Sequence, residues 1–164
     1  MPDPVAPAAP TLIDLSDLAS HAARSLGTSS WRTVAQEDID AFARLSGDEQ
    51  WIHIDPERAK TGPFNATIAH GYFTLSLSTA FLYELVEVTG AALILNYGSN
   101  RVRYPAPVPV GSRVRAAIDI AEVDAIPGGV QVVYRLTYEL DGEPKPACVA
   151  DIVFRYYTGV PGRA

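Results

Sequence analysis

Between Gly71 and Val88 the chain reads GYFTLSLSTAFLYELVEV, and its only charged residues are Glu84 and Glu87. A helix with so little polar surface cannot face water around most of its circumference, so other parts of the chain must cover it. At a rise of ~1.5 Å per residue it would run ~26 Å, about the width of a small domain. Gly90 supplies a stop signal just beyond it. The length alone would also suit a membrane span. Thr74, Ser76, Ser78, Thr79, Tyr83 and the two glutamates interrupt the run, however, and no cluster of arginine or lysine flanks it. A sheet wrapped around the helix meets the requirement better.

The chain has the material for such a sheet. At 164 residues, 48% apolar and 20% charged, it is an ordinary globular chain long enough to bury a real core in one domain. A net charge of -6 argues against a nonspecific nucleic-acid binder, which would be basic overall. The single cysteine, Cys148, rules out an intrachain disulfide and a cysteine-built metal cluster. The opening MPDPVAPAAP has neither a basic n-region nor an apolar h-region, so the expected compartment is the cytoplasm. Its prolines suit neither a helix nor a central strand. The expected organisation is a disordered tail over 1–11, one domain over 12–158 and a short C-terminal tail over 159–164.

In chain order, Leu15, Leu18, Ala22 and Leu26 fall at helical spacing, which predicts a short amphipathic helix over Asp14–Leu26, with His21 on its surface. Trp31–Val34 reads as a brief strand. Ile39, Phe42, Ala43 and Leu45 make a second helical stripe over Gln36–Leu45, with Glu37 and Asp38 well placed in the first turn. Gly47 ends that helix and delivers Asp48 into a loop. Asp55-Pro56-Glu57 is an N-cap followed by proline at the first helical position, which predicts a helical turn over Pro56–Lys60 that Gly62-Pro63 breaks.

Beyond the long helix everything has period two. Ala91–Tyr104 is the first strand, closed by Pro105, Pro107 and Pro109. Val114, Ala116, Ile118 and Ile120 share one face of the second. Val130, Val132, Tyr134, Leu136, Tyr138 and Leu140 share one face of the third, and Cys148, Ala150, Ile152, Phe154 and Tyr156 that of the fourth, after a turn at Asp141-Gly142. Cys148 therefore points inward as a small hydrophobe. One apolar helix followed by an antiparallel meander is an α+β arrangement, the sheet curling around the helix. Exposed apolar residues such as Val133, together with edge strands, favour pairing with a second copy, so a homodimer is expected.

Read singly, the polar residues around this frame are ambiguous. Asp48 after Ser-Gly suits a turn or cap, and His53 suits a buried structural histidine. His70, at the helix opening, suits packing, capping or substrate contact. Taken together they form a pattern. The block Ala43-Arg-Leu-Ser-Gly-Asp48-Glu-Gln-Trp-Ile-His53-Ile-Asp55, followed by Phe64 and Ile68-Ala-His-Gly71, resembles the signature of the MaoC-like dehydratases, which include the R-specific enoyl-CoA hydratases. Gln50-Trp51 and Lys145-Pro-Ala-Cys-Val149 are similar to the branch around nodulation protein N. Arg103-Tyr-Pro-Ala-Pro-Val-Pro-Val-Gly111 is similar to the family's segment after the first strand of the meander. The resemblance covers Trp31–Tyr157.

The resemblance implies a hot-dog fold, a dimer, and addition of water across the 2,3 double bond of a trans-2-enoyl thioester to give the R-3-hydroxyacyl product. It places Asp48 and His53 on the catalytic pair and Gly71 on the backbone donor to the thioester oxygen. Thr79 falls where some hydratases carry a serine near the pair. Many members have Asn-Pro where this chain has Gln50-Trp51, a change expected to reshape the pocket entrance. No cofactor is implied beyond coenzyme A as part of the substrate, and no metal.

Such chemistry needs a base for water, an acid for C2 and a donor for the enolate oxygen, and a carboxylate and an imidazole five residues apart can converge on one water. Arg101, Arg103, Arg113 and Arg115 could form a local patch for the phosphates of coenzyme A, or a solvated face. Two other readings stand beside hydration: an acyl-CoA thioesterase on the same fold and a noncatalytic acyl-CoA binding module.

Overall fold

The computed structural model of the chain describes residues 9–160. Residues 1–8 of the expected N-terminal tail and 161–164 of the C-terminal one lie outside them. Thr11, assigned above to the tail, already opens strand β1 (Thr11–Asp14). The helix expected over Asp14–Leu26 is replaced by a 3-10 helix over Leu15–His21 and strand β2 (Ser25–Thr28). The Asp14 carboxylate caps that turn by accepting from the Ser16 N–H at 2.9 Å. Three residues per turn bring Leu15 and Leu18 together in the core. Ala22 is extended and Ala23 takes a φ of 59°, so the chain turns before Leu26 can join the stripe.

Strand β3 (Arg32–Thr33) and helix α1 (Gln36–Ser46) follow as the spacing indicates. Gly47 ends α1 in the left-handed region, φ 76°, where an L side chain would be strained. Two single-turn helices come next, α2 (Trp51–Ile54) and α3 (Pro56–Ala59). Asp55 caps the second, its carboxylate accepting from the Arg58 N–H at 3.0 Å.

The apolar run is less helical and less covered than its composition suggests, for Tyr72 is 73% and Tyr83 51% exposed. It splits into α4 (Gly71–Ser76) and α5 (Ser78–Leu85) and ends in strand β4 (Val86–Thr89). Leu77 joins the helices through a tightened turn, its N–H reaching the Thr74 carbonyl at 3.3 Å. The Tyr138 hydroxyl donates to the neighbouring Leu75 carbonyl at 3.2 Å. Val86 and Val88 are buried while Glu87 is exposed, a period of two that β-branched residues favour. They pair in parallel with β1, from Thr11 opposite Val86 to Asp14 opposite Thr89.

Strands β5 (Leu93–Arg103), β6 (Arg113–Ile126), β7 (Gly129–Leu140) and β8 (Cys148–Tyr157) build the main sheet. Its order is β2-β6-β7-β8-β5, with β3 also pairing with β6, and every pairing is antiparallel. The inward residues of β6, β7 and β8 are those the alternation predicts, and they close over Phe73, Leu77, Phe81 and Leu82 of the helix pair. Each large side chain so covered contributes about 1.5–3 kcal/mol. No helix among the described residues is long and apolar enough to cross a membrane.

One outward residue differs from expectation: Val133 is only 4% exposed. It sits between Glu122 of β6 and Val153 of β8, so it offers no apolar surface to a second copy. The exposed apolar side chains of the sheet lie on edge strand β5, at Leu95 and Tyr97.

Cys148 is fully buried, and that burial pushes its thiol up to about 12. Native protein should therefore resist a thiol-specific disulfide reagent at pH 8, and unfolded protein should titrate one thiol per chain. Fast reaction of the native form would show that β8 is not packed as described.

Candidate active site

Three connections converge at the start of α4. The first leaves α1 at Gly47 and carries Asp48, whose N–H makes a long 3.3 Å bond to the Ser46 hydroxyl. The second is α2, which presents His53 inward. The third is the segment 67–70, held like a short ladder against the proline-rich stretch. There the Ala69 N–H donates to the Val108 carbonyl at 2.8 Å and the Val110 N–H to the Thr67 carbonyl at 2.9 Å. Proline lacks an N–H, so the donor on this side of the ladder is Val110, directly after Pro109.

His53 is buried and its Nδ1 lies 2.7 Å from the Ile68 carbonyl. A carbonyl only accepts, so Nδ1 carries a hydrogen and the neutral ring keeps its lone pair on Nε2. That nitrogen faces Asp48 Oδ2 at 4.0 Å. The gap is too long for a direct hydrogen bond and wide enough for one water to touch both groups. The Asp48 side chain is 57% exposed, so as an ion pair the two contribute little. Burial pushes the His53 imidazole below its ordinary value and the nearby His70 adds to this, while the Ile68 carbonyl and Asp48 oppose it.

His70 is also buried, and its Nε2 lies 2.9 Å from the Asp48 carbonyl. Its ring stacks on that of His53, centroids 3.7 Å apart and planes inclined by 22°. Asp48, His53 and His70 each offer an atom within 4.8 Å of the others, a spacing a metal ion could use. The ring geometry opposes it. Two rings in nearly parallel planes with centroids 3.7 Å apart cannot both hold one ion in plane at ~2.0–2.1 Å from a nitrogen of each.

Gly71 opens α4, so its N–H is one of the first-turn donors with no helical partner. Gly71 and His53 line one cavity of about 330 Å³, with Phe64, Thr74, Tyr104 and Ala147 among its other walls. A Cβ on residue 71 would stand 3.0 Å from the Tyr104 ring, so glycine is what lets that ring, or a ligand in its place, approach the amide. Asp48 is not part of this lining, although its carboxylate faces His53, which is. His70 does not line it either. Neither does Thr79, which is carried on α5; the hydroxyl beside Gly71 belongs to Thr74.

The arginines do not act as one group. Arg113 pairs with Asp141 and Arg115 with Glu139, and both guanidiniums lie over the Trp31 ring. Arg101 and Arg103, on β5, form no ion pair among the described residues. Trp51 is not at the cavity wall. It stacks under Arg58, 4.3 Å from guanidinium carbon to ring centroid, and fills the space a Cβ at Gly62 would need. Its effect is to brace α2 against α3.

Sequence reasoning did not single out Gln36, Tyr104 or the Ile68 carbonyl. The Gln36 side chain donates to the His53 carbonyl at 2.7 Å and accepts from the Thr67 hydroxyl, tying α1 to both other connections. In sequence it is only the first residue of a helical stripe. Tyr104 lies inside the proline-rich phrase, but nothing there indicates that its ring covers Gly71.

Comparison with known proteins gives a consistent result. The model of the MaoC like domain matches residues 17–141. The 3-hydroxyacyl-thioester dehydratase Z of Mycobacterium tuberculosis is 48% identical over 147 residues, 89% of this chain and 97% of that protein. Nodulation protein N of Rhizobium leguminosarum bv. viciae is 40% identical over 142 residues, 85% of this chain and 88% of that protein. Among solved structures, the monoamine oxidase regulatory protein from Archaeoglobus fulgius superposes with a TM-score of 0.72 at 23% identity, covering 96% of this chain and all of that one. The hot-dog fold is thus shared.

Because folding lowers the proton affinity of His53, stability should decline as pH falls below the ordinary imidazole value of 6.5, where the unfolded chain takes up the proton first. An NMR titration should place the His53 midpoint below 6.5. A midpoint above it would mean that the Asp48 carboxylate outweighs burial.

Proposed function

The chain belongs to the MaoC-like family and is a hydro-lyase of the hydratase/dehydratase kind, and from that premise we propose that it adds water reversibly to a trans-2-enoyl-CoA to give the (R)-3-hydroxyacyl-CoA. The observation that carries the reading is the 4.0 Å gap between Asp48 Oδ2 and His53 Nε2, next to a cavity that His53 shares with Gly71. A water in that gap donates one hydrogen to the carboxylate and one to the imidazole, leaving an oxygen lone pair for C3. As the C–O bond forms, charge moves to the thioester oxygen, where the Gly71 N–H donates to the developing enolate. The proton removed from water passes by way of the same pair to C2. One C–O and one C–H bond are made, the C=C π bond is lost, and no cofactor or metal enters.

An acyl-CoA thioesterase would instead attack the carbonyl carbon that Gly71 polarises, and a noncatalytic module would hold the thioester unchanged. Crotonyl-CoA separates the three. Hydration removes the enoyl absorbance without free thiol, hydrolysis releases thiol, and a module does neither. General acid-base help is worth about 10²–10⁴-fold, so Asp48→Asn should lose that much hydration while keeping the melting temperature, and His53→Gln should lose as much with a lower melting temperature, because the Ile68 carbonyl loses its Nδ1 donor. Gly71→Ala keeps its N–H but crowds Tyr104, and should lose less than the about 10²–10³-fold that removing an oxyanion donor costs. Full hydration rates in both Asp48→Asn and His53→Gln would overturn the assignment.

The working form we propose is a cytoplasmic homodimer joined along β5. That strand lies at the sheet edge, with unpaired backbone groups on one side and Tyr97 58% exposed. Sedimentation at micromolar concentration should give twice the 17.6 kDa chain mass, and a charged residue in place of Leu95 should shift it towards the monomer. A monomeric wild type would remove the dimer from the proposal.

A further inference from the structure

His70 contributes no wall to the cavity and, although it occupies the N-cap of α4, its side chain makes no capping bond. Neither substrate contact nor the usual duty of a polar residue at a helix start accounts for an imidazole that is 3% exposed. Its contacts supply another account. Nε2 must be the donor to the Asp48 carbonyl, because that oxygen only accepts. Nδ1 is then left with a lone pair, and it has no partner among the described residues. A buried, half-satisfied imidazole carries a cost that an apolar residue of the same shape would avoid.

Resting on the reading of Asp48 and His53 as the water-activating pair, we propose that His70 is the positioning residue that sets their separation, through its bond to the Asp48 backbone and its stacking against the His53 ring. Asp48 follows a left-handed C-cap, and among the described residues its backbone is otherwise held only by the long bond to Ser46. The 2.9 Å bond from His70 is the short one. On the other side, the Ile68 carbonyl fixes one edge of His53 and the His70 ring covers one face, so the direction of Nε2 is determined. The same residue is covalently joined to Gly71. One side chain and one peptide bond thus relate the carboxylate, the imidazole and the oxyanion donor to a common origin, the first turn of α4.

Two variants and two readouts test this. His70→Phe keeps a flat ring against His53 and beside Phe42, whose ring centroid is already 5.1 Å from that of His70, but it removes the donor. His70→Gln loses the ring but its amide can reach the Asp48 carbonyl. A displacement near 1 Å can cost about 10²-fold in rate. His70→Phe should therefore lower kcat on crotonyl-CoA by about 10- to 10²-fold with KM changed less than about threefold, and His70→Gln should recover much of that loss. Crystal structures of both variants give the second readout, independent of turnover. The Asp48–His53 gap should widen in His70→Phe and return towards 4.0 Å in His70→Gln.

An unchanged gap and kcat in His70→Phe would overturn the proposal, as would equal losses in the two variants with KM raised, which would mean packing alone. A wild type that does not hydrate crotonyl-CoA would sink the functional reading instead. The structural readout would still decide what His70 does.

Discussion

The apolar face of α4 and α5 must be kept from water, and the sheet that covers it has to curve around the helices. In this chain the shielding comes from the inner faces of β6, β7 and β8, whose alternating residues close over Phe73, Leu77, Phe81 and Leu82. A helix pair with one face against a sheet has unpaired backbone groups only at its ends. The N-terminal end is the useful one, because its free N–H groups point out of the first turn towards negative charge. The burial that holds the domain together therefore also decides where an oxyanion donor can stand.

The loops are then arranged by a second requirement, that buried backbone groups find partners. Residues 67–70 cannot join the main sheet, so they bond to the valines of the proline-rich stretch. The Ile68 carbonyl, left pointing inward, takes its hydrogen from His53. The Asp48 carbonyl takes its hydrogen from His70, and the His53 carbonyl from Gln36. These bonds do for the candidate site what ladders do for the sheet. They also assign the ring protons, leaving His53 Nε2 as the nitrogen that faces the carboxylate.

Several readings of the sequence failed, each where two local rules competed. Leu15, Leu18, Ala22 and Leu26 fit a helical stripe, yet a 3-10 turn satisfies the first two and β6 captures the last as part of a strand. Val86 and Val88 extend the apolar run, yet a β-branched pair on either side of an exposed glutamate fits a strand once β1 is there to receive it. Val133 looks exposed by alternation and is covered by its neighbours. Of the two readings open for the clustered arginines, the solvated face fits Arg113 and Arg115, since Asp141 and Glu139 lie across the β6–β7 pairing from them.

What the sequence determined by itself was whatever depends on neighbours along the chain. That covers the apolar run, the period-two strands, the cap at Asp55, the left-handed exit at Gly47 and the spacing of Asp48, His53 and Gly71. Tertiary structure decided whatever depends on neighbours across space. That covers the break at Leu77, the stacking of His70 on His53, the Tyr104 ring over Gly71 and the place of Thr74, not Thr79, in the cavity wall with Gly71. The reason is one of range: periodicity, caps and turns are fixed within a few residues. The partner of a buried carbonyl or an imidazole face lies 15 residues away for Ile68 and 63 for Leu75, and only the closed fold brings it near.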